Sequence, residues 1–520
     1  MYPCLVLDTK KVMSERSKIL ILFIFSFLIR FLPIFGNNFY FTVDQGRDAV
    51  FARDILHGNF PLVGPVTDIE GVYHGVFWYY LNALFYFIFG GHPIGSVLFL
   101  ITLNSFLIVA IYFFLKKEIG TLVSFIACLL LSVLISFYET SRYAFNPFLL
   151  PSITFLFLYS LVKMKENPKY TLLSAISVGL VFHSEIVLFP LFVLMFLSVG
   201  LYSLRKKTLQ IGNFFLGIFL IFVFLLPLFL YEFTSGFSQT NSFLNHVGSS
   251  ESIFKISLPQ RFFVTIGYLT KLVGEVMLPP LPLVGFFIYL LINTLYLFKN
   301  RFKRSFIFQF VTCGNLLLFF SIIWFSLNKG FRSWHLAFLS VPIFVSLVIS
   351  LSTLPKKIFT GLIIILFLLQ SFYLGNRIID YRSENEGAGI LKNQLEVLDW
   401  IYQKAENSGF TVYTYVPSVY DFHYQYLIYW YGLGKYKYLP CEYSTYPGID
   451  ASAYIPHSKI YQEPKKSCTT KRFLIMEPTA SENLRKVWYE GASKDTEFVD
   501  KKTVNKIIIE ERKEKKSYNL

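Results

Sequence analysis

The sequence predicts an all-α polytopic membrane protein with interfacial helices in its first outer loop and a small C-terminal extracytoplasmic α/β domain. A mean hydropathy of +0.51 and a hydrophobic content of 54% lie above those of soluble globular chains. Apolar runs of roughly 18 residues or more recur over residues 1–375, which is the length needed to cross about 30 Å of hydrocarbon. From residue 376 onward the composition becomes polar. We therefore divide the chain into a transmembrane domain, 1–375, and an outer domain, 376–520.

The apolar runs predict about eleven transmembrane helices. They are 19–36, 94–115, 119–137, 145–162, 170–182, 186–204, 210–231, 281–298, 306–326, 335–353 and 357–375. A further apolar stretch, 75–91, fits either a span or a helix lying in the membrane interface.

Basic residues decide the topology, because positively charged loops stay on the cytoplasmic side. If the N-terminus is cytoplasmic and 75–91 does not cross, every basic packet falls inside. These packets are Lys10/Lys11/Arg16/Lys18, Lys116/Lys117, Lys163/Lys165/Lys169, Arg205/Lys206/Lys207, Lys299/Arg301/Lys303/Arg304 and Lys356/Lys357. We therefore expect a plasma-membrane protein with its N-terminus inside and its C-terminal domain outside. The net charge of +15 is spread between spans rather than concentrated on one face, so we expect no nucleic-acid partner.

The same topology places the unusual polar residues at the outer rim of the membrane. They are Asp44, Asp48, His74, Glu139, Arg142, His183, Glu185, Glu232 and His335. One polar cavity at the outer face is the simplest explanation for this distribution.

The first outer loop, 37–93, contains helical segments. Thr42 and Gln45 have the spacing of a capping box, which predicts a helix starting near Val43. Asp44 then lies in the first turn of that helix and shares a face with Asp48. A second outer loop, 232–280, ends at the sequence PPLP. The spans on either side of residues 183–185 are joined so tightly that we expect a hairpin or a broken helix there.

The outer domain combines a helix with strands. EVLDWIYQKAENSGF, at 396–410, reads as an amphipathic helix ended by Gly409, and TVYTYV, KRFLIMEP and NKIIIEER read as strands. The terminal ERKEKKSYNL reads as a solvated tail. Cys441 and Cys468 could pair if this domain is extracytoplasmic, but their spacing does not decide it.

Several segments, in order, carry a resemblance to a known family. The motif Asp44-Gln45-Gly46-Arg47-Asp48 opens the first outer loop, followed by ARDILHGNFPLVGP and GVFWYYLNALFYFIFG. SRYAFNPFLLP, GLVFHSEIVLFP and LPLFLYEFTSGF come later. Over residues 19–375 this order resembles the GT-C glycosyltransferases, in the branch of protein O-mannosyltransferases and aminoarabinose transferases. The chain departs from the family pattern at Gln45, His74, His183 and Glu185.

The resemblance implies transfer of a sugar, with inversion, from a polyprenyl-phosphate carrier to a hydroxyl at the outer membrane face. The acceptor would be a protein, a lipid or a polysaccharide. Asp44 is expected to be the general base, since a carboxylate must take the acceptor proton. The alternative is that Asp44 only complements the N-terminus of its helix.

Four further residues are expected to bind substrate: Asp48, Arg142, Glu185 and Glu232. Arg142 could hold a phosphate with two parallel hydrogen bonds. The alternatives are structural, namely pairing of Asp48 with Arg47, pairing of Arg142 with Glu139, and a loop-ordering role for Glu232.

His74, His183 and His335, together with Glu185, could supply ligands to a divalent metal, because imidazole and carboxylate suit such ions. The alternative is that each histidine is a hydrogen-bonded residue of the rim. No other cofactor is expected.

Two other classes of function compete with the enzyme. A transporter or flippase of a lipid-linked or small substrate should carry ionisable residues near the middle of its spans, whereas this chain keeps nearly all of them at one rim. A catalytically silent relative would bind a glycan or a partner through the C-terminal domain.

Overall fold

The computed structural model describes residues 13–248, 257–302, 305–327, 332–383 and 387–515. Lys10, Lys11, Lys303 and Arg304, part of the second outer loop and the end of the predicted tail lie outside the described residues.

Helices make up the membrane domain. They are α1 (Glu15–Ile34), α2 (Val43–Leu56), α3 (Phe77–Ile88), α4 (Ile94–Ile119), α5 (Thr121–Val133), α6 (Ile135–Tyr138), α7 (Leu150–Lys163), α8 (Lys169–Ser184), α9 (Phe189–Arg205), α10 (Ile211–Ser235), α11 (Ser238–Gly248), α12 (Leu258–Met277), α13 (Pro282–Asn300), α14 (Phe306–Leu327), α15 (Ser340–Leu351) and α16 (Lys356–Ser383).

The predicted spans correspond to these helices. Within the described ranges, nine helical stretches are long and apolar enough to cross a membrane, and the bent pair Thr121–Val133 and Ile135–Ser141 raises the number to ten. The remaining predicted span, 170–182, is α8, which has only 16 residues. The chain is an integral membrane protein of the predicted class.

The first outer loop carries two helices, as predicted. Thr42 and Gln45 form the expected capping box, and α2 begins at Val43. The apolar stretch 75–91 contains α3, whose 12 residues cover about 18 Å and are too few to cross about 30 Å of hydrocarbon. The second outer loop is also helical, because α11 and α12 occupy most of its described part.

The C-terminal domain is a five-stranded mixed sheet with helices. Its elements are α17 (Leu391–Ala405), β1 (Gly409–Tyr415), α18 (Phe422–Leu427), α19 (Leu433–Tyr436), β2 (Glu442–Ser444), β3 (Cys468–Met476), α20 (Glu482–Ala492), β4 (Thr496–Val504) and β5 (Ile507–Glu514). The strand order is β2-β1-β3-β5-β4. β1 pairs in parallel with β2 and β3, whereas β5 is antiparallel to β3 and β4.

Three details of this domain differ from, or complete, the sequence interpretation. The amphipathic helix ends at Ala405 with Glu406 in the left-handed conformation, and Gly409 instead opens β1. The solvated-tail prediction is wrong for its first residues, because Glu511–Glu514 belong to β5 and Arg512 is buried there. Cys441 and Cys468 form a disulfide.

The outer domain is hydrogen-bonded to the start of the first outer loop. The N–H of Phe41 donates to the carbonyl of Gly389 at 2.7 Å, and the N–H of Leu391 donates to Phe39 at 3.0 Å. The side chain of Gln394 donates to the carbonyl of Phe41 at 2.9 Å. The outer domain therefore holds the strand-like segment that leads into α2.

Candidate functional site

The first turns of α2 present two carboxylates around one guanidinium. Nη1 of Arg47 lies 3.0 Å from Oδ1 of Asp44, and Nη2 lies 2.9 Å from Oδ1 of Asp48. The spacings i, i+3 and i, i+4 put Asp44, Arg47 and Asp48 on neighbouring positions of one helix face. The Asp44 side chain is 34% exposed and that of Asp48 is 4% exposed. Asp44 is therefore the carboxylate that solvent or a substrate can reach.

Asp48 is held from the opposite side by α3. Nε1 of Trp78 donates to Oδ2 of Asp48 at 2.6 Å. Burial raises the pKa of Asp48 to about 6, although the Arg47 cation and the Trp78 hydrogen bond oppose this shift. Asp48 thus anchors Arg47, and Arg47 in turn orients Asp44.

The segment between α6 and α7 contacts Asp44 from the side opposite Arg47. The hydroxyl of Tyr143 lies 3.3 Å from Oδ2 of Asp44 and 3.1 Å from the hydroxyl of Thr42. Gln45 reaches the same segment by donating from Nε2 to the carbonyl of Ala144 at 2.9 Å. The capping box therefore does more than start α2, because its glutamine also fixes α2 against a segment about 100 residues away.

Arg142 directly precedes Tyr143, and its guanidinium contacts Glu139 and Tyr138. Its Nη1 is 3.5 Å from Oε1 of Glu139, and its guanidinium packs 5.7 Å from the centre of the Tyr138 ring. The side chain is buried. The structure thus places Arg142 beside Tyr143 and paired with Glu139.

A second polar cluster surrounds Glu185, in the break between α8 and α9. Nδ1 of His74 lies 3.9 Å from Oε1 of Glu185, and Nε2 of His335 lies 3.8 Å from Oε2. Burial, with repulsion from Asp68, raises the pKa of Glu185 to about 8. Burial lowers the pKa of His74 to about 3, and repulsion from His335 and Arg47 acts in the same direction. At neutral pH these contacts therefore join neutral groups rather than ions.

The cluster around Asp44 and the cluster around Glu185 lie near each other. The charge of Arg47, in the first cluster, helps to lower the pKa of His74, in the second. Coulombic effects of this kind require proximity. The sequence-predicted residues Asp44, Asp48, His74, Glu185 and His335 are thus brought into one neighbourhood.

His183 and Glu232 accept backbone hydrogen bonds from segments near His74. Nδ1 of His183 accepts the backbone N–H of Phe77 at 3.4 Å. Glu232 accepts the backbone N–H groups of Gln239 and Thr240 at 3.0 and 3.1 Å, so it caps α11. Gln239 in turn accepts the N–H of Tyr73 at 3.2 Å. Glu232 thereby orders the segment that carries His74.

The histidines do not form a recognisable metal-ligand set. Nδ1 of His74 accepts the N–H of Ile186 at 3.2 Å, and Nδ1 of His335 accepts the N–H of Arg332 at 3.2 Å. Throughout the part of the chain that the structure describes, no group of three or more His, Cys, Asp or Glu residues is arranged to hold a metal ion. This geometry fits hydrogen-bonded rim histidines better than metal ligands, and no step proposed below uses a metal.

Three residues of the site were not among the predicted site residues: Arg47, Trp78 and Tyr143. Arg47 lies inside the acidic motif at the i+3 position from Asp44, and Tyr143 directly follows Arg142. Those spacings are visible in the sequence. The contact of Trp78 with Asp48 is not, because thirty residues separate them.

No protein-family model and no curated protein sequence matches the chain. Among solved structures it is similar to ArnT from Cupriavidus metallidurans in the apo state, with a TM-score of 0.58 and 10% sequence identity over 96% of this chain and 98% of that chain. The same protein bound to undecaprenyl phosphate gives the same four values. The oligosaccharyltransferase of Archaeoglobus fulgidus, in complex with Zn and sulfate, overlaps less, with a TM-score of 0.45. The likeness to ArnT confirms the GT-C fold that the order of motifs predicted.

Proposed function

We propose that this protein is a membrane glycosyltransferase that moves a sugar from a polyprenyl-phosphate carrier to an acceptor hydroxyl at the non-cytoplasmic face, with inversion. The observation that carries the proposal is the partly exposed Asp44 carboxylate, oriented by Arg47 and Tyr143 at the start of α2. The fold shared with ArnT, one structure of which is bound to undecaprenyl phosphate, supports a lipid-linked donor.

In the proposed reaction Asp44 is the general base. The acceptor oxygen attacks the anomeric carbon while the bond from that carbon to the phosphate oxygen breaks, and the acceptor proton passes to Asp44. The polyprenyl phosphate leaves with the electron pair of the broken bond. A single displacement of this kind inverts the anomeric configuration. Asp44 is suited to the role because its carboxylate is accessible and is held by two hydrogen bonds.

The other predicted binding residues receive different roles in the proposal. Asp48 is a positioning residue, because its contacts run to Arg47 and Trp78. Arg142 is proposed to bind the leaving phosphate. A guanidinium can hold a phosphate with two parallel, charge-assisted hydrogen bonds. Glu185 is proposed to bind the donor sugar through the neutral carboxyl form that its raised pKa favours.

The proposed topology has the N-terminus in the cytoplasm of a plasma-membrane protein and the C-terminal domain outside. The disulfide between Cys441 and Cys468 supports this orientation, since disulfides persist in oxidising compartments.

The transporter alternative is less favoured. Arg30 is a fully buried charged residue within a candidate span, and it lies near the end of α1 rather than at its middle. Its guanidinium donates to Ser141 at 2.8 Å and to Ser26 at 3.0 Å. Arg30 thus ties α1 to the segment that carries Arg142 and Tyr143, as a structural residue would.

The test compares envelope glycans by mass spectrometry in cells that carry the wild-type chain, no chain, or Asp44→Asn. We expect one glycan modification to be lost in the latter two, while the Asp44→Asn protein accumulates normally and still binds the lipid donor. Asp500→Asn is the control, because Asp500 is a half-buried residue of β4, in the C-terminal domain, that pairs with Lys404 at 2.6 Å. Full transfer by the Asp44→Asn protein would show that the base is assigned wrongly.

A further inference from the structure

We propose that a cleft beside the C-terminal end of α2 binds the carbohydrate portion of the acceptor. This inference rests on the proposed function and names the substrate class of the same site. The cleft, here called the α2 cleft, has a volume of about 240 Å³. It is lined by Phe51, Asp54, Asn59, Phe60, Pro61 and His457, so the first outer loop forms one wall and the C-terminal domain forms the other.

A buried carboxylate and an accessible imidazole form the polar part of the α2 cleft. Oδ2 of Asp54 lies 2.9 Å from Nδ1 of His457. The Asp54 side chain is 2% exposed, whereas that of His457 is 46% exposed. Because Asp54 engages Nδ1, the Nε2 atom of His457 is left for a ligand. Within the described residues, no hydrogen bond occupies that Nε2 atom.

The backbone at His457 adopts the left-handed conformation immediately before a short helical turn. His457 has φ +52°, a region in which histidine is found more often than most non-glycine residues. The turn, Ser458–Tyr461, follows directly, and the Nδ1 atom of the imidazole contacts Asp54.

Aromatic rings form the apolar part of the α2 cleft. Phe60 is 66% exposed and stacks on Tyr80 with ring planes 10° apart. Phe51 stacks on Tyr79 at 4.3 Å with planes 7° apart. Each ring is thus braced from behind. A sugar ring offers an apolar face that packs on such rings and hydroxyl groups that need polar partners like Asn59 and His457.

The charges of the α2 cleft favour a neutral ligand over a phosphate. No lysine or arginine lines it among the residues the structure describes. Arg53, the nearest cation in sequence, donates to Oδ1 of Asp54 at 3.0 Å and lies 3.6 Å from the centre of the Tyr461 ring. Its charge is therefore already paired, and the Asp54 carboxylate would repel an anion.

The α2 cleft lies beside the same helix that carries the proposed general base. Asp44, Asp48 and Phe51 follow one another at intervals of four and three residues, so they lie along one helix face. At 1.5 Å per residue, Phe51 lies roughly 10 Å along the helix from Asp44. An oligosaccharide bound in the cleft needs a length of only roughly 10 Å to present its reacting hydroxyl to Asp44.

The test is binding of the full chain, in detergent, to a printed array of neutral and acidic oligosaccharides. We expect the wild-type protein to bind a subset of neutral oligosaccharides, and Phe60→Ala and His457→Ala each to weaken that binding at least tenfold. Phe498→Ala is the matched control, because Phe498 is an exposed phenylalanine of β4 at the far edge of the sheet. It should bind like the wild type, and the melting temperatures of all these proteins should be similar.

The outcomes separate this inference from the proposed function. Asp44→Asn should bind the array like the wild type while failing to transfer sugar. Three results would each overturn the α2 cleft as an acceptor site. The wild type would bind no neutral oligosaccharide, the wild type would bind only acidic glycans, or Phe60→Ala and His457→Ala would bind as tightly as the wild type. Transfer by Asp44→Asn would overturn the base assignment and leave the array result to decide the cleft.

Discussion

Replacing Gly46 with alanine should disturb the candidate site through the C-terminal domain. Gly46 lies between Asp44 and Arg47 in α2, where the helix touches the backbone of α18. A Cβ atom at Gly46 would lie 2.2 Å from the backbone nitrogen of His423 and 2.4 Å from its Cα atom. Both are main-chain atoms, so they cannot turn aside as a flexible side chain would. Helix α2 and α18 must therefore separate.

The size of the effect follows from that geometry. Ordinary van der Waals contact begins at 3.4 Å, so α2 must shift by about 1 Å. Displacing a catalytic group by roughly 1 Å costs on the order of 100-fold in rate. Overpacking costs about 1–3 kcal/mol, against which alanine gains about 1 kcal/mol over glycine in helix propensity. We therefore expect Gly46→Ala to lower kcat about 100-fold and to reduce stability by up to about 2 kcal/mol.

The assay measures sugar transfer to the acceptor and thermal unfolding of the detergent-solubilised chain. Gly361→Ala is the control, because Gly361 is also helical and a Cβ atom there would have no neighbour within 4 Å. That variant should keep its activity and be as stable as the wild type or slightly more stable. If Gly46→Ala behaves like Gly361→Ala, the contact between α2 and α18 does not position Asp44, and the reasoning is refuted.

Three other predictions concern individual interactions. The double variant Cys441→Ser, Cys468→Ser should lower the free energy of unfolding by about 3 kcal/mol, because the disulfide closes a loop with a sequence separation of 27. A wild-type melting temperature that is the same with and without reductant would contradict this. The pKa of Asp48, raised from 3.8 to about 6, means that the folded chain binds the proton more tightly, so the stability it contributes is complete below pH 3.8 and is lost as the pH rises through about 6. Asp48→Asn should remove on the order of 3 kcal/mol of that pH dependence, and parallel pH profiles of melting temperature for the two proteins would disprove it. Trp78→Phe removes the 2.6 Å hydrogen bond to the Asp48 carboxylate, so it should lower the free energy of unfolding by about 1.5–3 kcal/mol. Because that hydrogen bond lowers the pKa of Asp48, its loss should move the pH midpoint of stability upward. An unmoved midpoint would argue against the assigned contact.

Features that depend on a short window of sequence were predictable. The start of α2 follows from Thr42 and Gln45, because a capping box is completed within four residues. The three predicted strands follow from alternating and β-branched residues, and they appear as β1, β3 and β5. β4 was missed because TEFVDKKTV is mostly exposed and charged, and it gains its strand conformation by pairing with β5.

Contacts between residues distant in the chain were not predictable. Trp78 donates to Asp48 across 30 residues, and Tyr143 lies against Asp44 across 99 residues. These contacts depend on how separate helices pack, which hydropathy does not describe. The local contacts of Glu232 with the start of α11 and of Arg142 with Glu139 were foreseen as alternatives to substrate binding.

The sequence by itself determined that the chain is a polytopic, mostly helical membrane protein, because hydropathy and helix capping act over a few turns of chain. Tertiary structure decided which of its polar residues meet. It buried Asp48 against Trp78, left Asp44 accessible, joined Cys441 to Cys468, and placed His457 on Asp54 across about 400 residues. These outcomes depend on distances between separate helices and domains, which packing sets and no local pattern encodes.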